Sequence, residues 1–138
     1  MSRILVAATG LVSLLVFAWP LLLQVPSAGQ AAFAQTVFFA LMPLLVALVL
    51  VELSQGVLDT KQLAVLGVLI AINAGVRLLG AGTAGIETVF FLILIGAYVF
   101  GSGFGFLLGS GSILISALLS GGIGPWMPFQ MMAAGLLG

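Results

Sequence analysis

Residues 62–79 read QLAVLGVLIAINAGVRLL, in which Gln62, Asn73 and Arg77 are the polar side chains. As a helix this stretch extends about 27 Å at 1.5 Å per residue, close to the roughly 30 Å of a bilayer's hydrocarbon core. Polar residues 59–61 precede it, and Gly80-Ala81-Gly82-Thr83 follows as a turn. Working outward, the same pattern recurs. Apolar runs over 4–23, 31–51, 84–100 and 103–119 are each expected to be helical spans. They are separated by residues 24–30, 52–61, 80–83 and 101–102, where breakers and polar residues gather. Pro43 falls inside the second run, which a membrane helix tolerates because its neighbours can satisfy the freed carbonyl.

Composition supports the same reading. Charged residues make up 4% of the 138, against about a quarter in a soluble domain. Arg3, Glu52, Asp59, Lys61, Arg77 and Glu87 cannot clothe a water-soluble globule of this size. The fold expected is therefore all-α, a polytopic transmembrane helix bundle of five to six spans forming one domain over 1–138. The last run, 126–138, would reach only about 20 Å as a helix. It is either re-entrant or the start of a sixth span in a fragment of a longer chain, and the fragment reading is preferred. The first run exceeds the roughly 7–15 apolar residues of a signal-peptide core, so it is expected to be retained.

A zero net charge gives no basis for nucleic-acid binding. Without Cys or His, thiol nucleophiles, imidazole bases and thiolate or imidazole metal sites are absent. No catalytic role, cofactor or metal is expected. With the N-terminus in the cytoplasm, Arg3 and Lys61 lie inside and Arg77 outside, as the positive-inside rule favours. That topology places residues 24–30, 77–87 and 121–130 together on the outer face of a plasma membrane.

Three constellations stand out. Gly101, Gly105 and Gly109 recur every fourth residue and stack on one helix face, which lets another backbone approach closely. They serve either tight packing within the bundle or docking of a partner helix. Asn73 and Arg77 share a helix face, with Glu87 beyond the turn. Polar groups beside lipid must pair or face a cavity. Hence Arg77 and Glu87 either clamp the turn or line an outward-facing ligand site with Asn73. In Gly124-Pro125-Trp126-Met127-Pro128-Phe129-Gln130, the prolines suit a helix start. Trp126 and Phe129 are either interfacial anchors or, with Gln130, a stacking platform and hydrogen-bond handle for a ring-containing ligand. Unpaired N–H groups at this start would favour an acceptor. The stretch around Glu52, Asp59 and Lys61 reads as a solvated loop.

The segments 103–109 (GFGFLLG) and 116–130 (SALLSGGIGPWMPFQ), with 80–91 (GAGTAGIETVFF) and 59–67 (DTKQLAVLG), cover about a third of the chain. They resemble the substrate-binding S components of energy-coupling factor (ECF) transporters, particularly the actinobacterial type. The Gly-Pro-Trp-Met-Pro-Phe-Gln block is the specific part of the likeness. The resemblance implies a subunit that captures a vitamin or related micronutrient from outside. Its implied partners are a membrane T component and two ATPase subunits, which supply the energy. Family members have six or more spans, and many carry Ala-x-x-x-Ala on the first helix, where this chain has Thr9-x-x-x-Ser13. The substrate-binding residues expected are Asn73, Arg77, Glu87, Trp126 and Gln130. The rival expectation is a structural or assembly subunit that packs against partner helices and binds no small molecule. An ion-coupled carrier lacks a mid-membrane Asp, Glu or His for a relay, and an intramembrane enzyme lacks its bases.

Overall fold

The structure, a computed structural model, describes Leu11, Leu14, Leu15, Ala18, residues 27–54, Gly56, 58–80 and 89–138. Among these every regular element is helical: α1 (Ser27–Ser54), α2 (Thr60–Gly80), α3 (Val89–Phe100), α4 (Ser102–Ser120) and α5 (Met127–Leu137). Two helices, Thr60–Leu79 and Ser102–Ser120, are long and apolar enough to cross a membrane. Most of the expected run 4–23, and all of residues 81–88, fall outside the described residues. Elsewhere the element bounds follow the apolar runs, with corrections at the links. Glu52 and Lys61, expected in a solvated loop, lie in the last turn of α1 and the first turn of α2. Residues 27–30, expected in a loop, already belong to α1. Asp59 is not simply loop: its Oδ1 accepts from the Gln62 N–H at 2.7 Å and its own N–H donates to Gln62 Oε1 at 3.1 Å. This reciprocal capping box satisfies donors at the start of α2.

Helix α4 is the centre of the assembly and touches each of the other four described helices. Its neighbour α3 joins it through Gly101 alone, whose φ of 97° is open to glycine and strained for other residues. The chain folds back there, setting Gly96 against Leu108 and Phe104, and Gly105 against Ala97. Gly101 therefore sits at the bend with open space around it, not on the glycine face of the helix.

The remaining glycines of that series face α5. A Cβ on Gly109 would come within 2.2 Å of the Ala134 carbonyl oxygen, and one on Gly105 within 2.7 Å of the Gly138 backbone. In return, a Cβ on Gly135 would collide with the Phe106 ring. This order (109 beside 134–135, 105 beside 138) makes α5 antiparallel to α4, with backbone lying on backbone. The docking surface weighed for a partner helix is thus occupied at Gly105 and Gly109 by the chain's own α5.

A buried apolar core that includes Ile93, Phe104, Leu108 and Met131 is surrounded by further large apolar side chains that stay exposed. Leu79 is 86% exposed, Phe91 66% and Tyr98 92%, whereas Asn73, Ser110, Ser112 and Ser116 are completely buried. An apolar surface surrounding a polar seam suits a solvent of lipid rather than water.

Replacing Gly109 by Ala is expected to destabilise the protein by about 1–3 kcal/mol, because the Ala134 backbone cannot yield as a side chain can. At Gly67, inside α2 with no atom near its missing Cβ, Ala is expected to be neutral or to stabilise by up to about 1 kcal/mol. Thermal unfolding of the two variants in detergent, followed by circular dichroism, checks the contrast.

Candidate functional site

Four buried polar side chains need partners, since an unpaired polar group in an apolar interior costs about 1–3 kcal/mol. Ser110 finds its own: its Oγ donates to the Phe106 carbonyl one turn back at 2.6 Å. The others meet across α2 and α4. Asn73 Nδ2 donates to Ser112 Oγ at 3.0 Å, and one turn further along both helices Arg77 Nη1 donates to Ser116 Oγ. Asn73 and Arg77 are separated by four residues, as are Ser112 and Ser116. The equal step shows that α2 and α4 run parallel, with one face of each zipped to the other.

A third helix joins at the upper rung. Arg77 Nη2 donates to Gln130 Oε1 at 3.4 Å, the longest of these bonds. Gln130 lies near the start of α5, where the antiparallel packing brings it beside the last turn of α4. Arg77 occupies the last turn of α2, where a cation also complements the helix dipole. The described side-chain carboxylate, Asp59, caps the opposite end of α2, so both oxygens bonded to Arg77 are neutral. Asn73 Oδ1 has no partner at all, although the residue is fully buried.

Of the residues expected to bind substrate, the structure therefore brings Asn73, Arg77 and Gln130 together, while Glu87 lies outside the described residues. Trp126 immediately precedes α5 at the same end and is not among these hydrogen-bonded side chains. Its indole lies over Gly124, where a Cβ would fall 2.3 Å from the ring, and over half of the residue is exposed. The expected supply of free N–H groups at the start of α5 needs correcting. The Met127 N–H donates to the Gly124 carbonyl, Pro128 has no N–H, and the Gln130 N–H donates to the Trp126 carbonyl. That helix start is not an open acceptor site.

Ser112 and Ser116 are the functional candidates the sequence reading passed over. Their signal was a pair of hydroxyls at helical spacing within an otherwise apolar run, matching Asn73 and Arg77 at the same interval. Chemically the arrangement supplies a guanidinium, hydroxyls and amides, all of them hydrogen-bonding groups. Among the described residues no group of His, Cys, Asp and Glu is placed to hold a metal ion. Comparison with known proteins finds no matching family model, no matching curated protein and no matching solved structure.

The Asn73–Ser112 rung can be weighed by a double-mutant cycle. Ser112→Ala alone is expected to cost about 1–2 kcal/mol, because it strands the Asn73 amide as well. With Asn73→Ala added, the total should fall short of the sum of the single losses by about 0.6 kcal/mol. Unfolding free energies measured in mixed micelles would provide all four corners.

Proposed function

We propose that this chain is a multi-pass protein of the plasma membrane that captures a small molecule from the outer side. In this reading it acts as the S subunit of an ECF-type importer for a vitamin or related micronutrient. The observation that carries the reading is the junction at Arg77, where polar side chains link α2, α4 and α5 at one end of the bundle. Placing such groups within an apolar assembly costs stability unless they serve a ligand or a fold-specific contact. The nearby half-exposed Trp126 offers an aromatic face beside that junction, and Glu87 belongs to the same proposed site.

Energy would come from outside the chain. The sequence holds no phosphate-binding loop with its Lys, in keeping with dependence on a T component and two ATPases. With the N-terminus in the cytoplasm, Lys61 and Arg77, at opposite ends of α2, fall on the inner and outer faces. The rival reading, a subunit that only packs against partner helices, draws on the full burial of Asn73 and the direct pairing of Arg77. On that view the polar seam is a clamp and no small molecule binds.

Because the chain has no Cys, single cysteines report topology without background. Ser120→Cys and Gly122→Cys should react with an impermeant maleimide added outside intact cells, and Ser102→Cys only after permeabilisation. Labelling of all three from one side would defeat the spanning arrangement. For the function itself, co-purification with T and ATPase subunits and vitamin uptake restored in a deficient strain are expected. Uptake by this chain alone, driven by a proton gradient, would overturn the assignment.

A further inference from the structure

The geometry points to a ligand that pairs an anionic acceptor with an N–H or O–H donor at a spacing of about 6 Å, the rise along α2 over the four residues from Asn73 to Arg77. The acceptor is for Arg77 and the donor for Asn73. This inference rests on the capture reading above and names the class of molecule captured. Two observations lead to it, one at each rung of the seam.

At the upper rung, Arg77 meets two neutral oxygens. Its bond to Ser116 joins α2 to α4, whereas its bond to Gln130 is long and comes from an exposed side chain. A guanidinium presents its N–H groups as a planar fork suited to a carboxylate or phosphate, and charge-assisted bonds are roughly twice as strong as neutral ones. Gln130 Oε1 thus holds the position of the ligand's acceptor and gives way to it. At the lower rung, Asn73 spends its amide nitrogen on Ser112 and leaves Oδ1 buried without a partner. That oxygen lies on the face of α2 that carries Arg77, one turn deeper. A ligand donor there satisfies the atom that the closed seam leaves unpaired. Entry follows Gln130, in the first turn of α5 beyond the Gly121-Gly122-Ile123-Gly124 link; deeper in, α5 is held by its close backbone contact with α4.

The test uses the full chain in phosphatidylcholine nanodiscs at ionic strength balanced with chloride. The probes are butyrate, 4-acetamidobutyrate, the methyl ester of the latter and its N-methylated analogue, read by thermal shift and calorimetry. The expected result is stabilisation by both acids, stronger with 4-acetamidobutyrate, and none by the ester. Arg77→Gln should raise the Kd of 4-acetamidobutyrate about tenfold or more, the value of a hydrogen bond to a charged group, with Arg77→Lys in between. Gln130→Ala should tighten binding by removing the competitor. N-methylation should weaken binding to the wild type but not to Asn73→Ala.

The comparison of acid with ester is made on the wild type and needs no variant to fold. Acids that act no better than chloride, or as well on Arg77→Gln as on the wild type, overturn the inference. So does an Arg77-dependent shift seen only in phosphatidylglycerol discs, which assigns the guanidinium to a lipid headgroup. Stabilisation by a neutral vitamin where the acids fail would end this inference and leave the capture reading standing. Failure to co-purify with T and ATPase subunits would strike the capture reading instead.

Discussion

With Asn73, Ser112 and Ser116 completely buried, solvent is out of reach and these side chains take their partners from the facing helix. Asn73 with Ser112 and Arg77 with Ser116 form two rungs at the same helical interval. Two rungs constrain more than one. Sliding either helix by a single residue rotates its side chains by about 100° and breaks both pairs together. The seam therefore sets the register, direction and facing sides of the two longest apolar helices described in full.

Close backbone packing completes the arrangement. Gly105 and Gly109 let α5 lie directly on α4, and Gly135 accommodates Phe106 in return. In lipid, joining two apolar helices would bring no hydrophobic gain, and intimate contact and dispersion would hold them. Antiparallel packing at these glycines carries the start of α5 to the upper rung of the seam. Gln130 consequently reaches Arg77 as a result of backbone contact made at the other end of α5. Glycine packing and the polar junction are thus mechanically connected, although no residue belongs to both.

The same connection gives the capture reading its physical form. Arg77 is held from two sides by neutral oxygens, one on a fixed helix and one at the tip of a short helix, while Asn73 keeps an unused acceptor beneath it. Recognition by such a site depends on hydrogen bonding in a poorly solvated setting, where each matched group contributes more than it would in water and each unmatched group is penalised. On the proposed reading, specificity would follow from the spacing of ligand groups along α2. Trp126, packed against Gly124 and more than half exposed, stands outside the hydrogen-bonded seam.

Much of the helical layout was legible in the sequence, because apolar runs interrupted by Gly, Pro and charged residues mark helix ends through local physics. The bounds of α2 and α4 and the bend at 101–102 could be read in this way. Asp59 was passed over as a helix cap even though Gln62 stands three residues on, since the stretch was weighed by polarity alone. Within the site, the shared face of Asn73 and Arg77 follows from helical spacing, but their partners do not. Ser112 and Ser116 lie thirty-nine residues from them, and no local rule selects those hydroxyls over Ser110, which bonds to its own helix. The glycine repeat announced a close approach without naming the helix that makes it. By itself, the sequence determined that these segments are helical and what chemistry is missing from them. Only the tertiary structure decided which faces meet, because pairing across helices depends on direction and register, which are properties of the assembly as a whole.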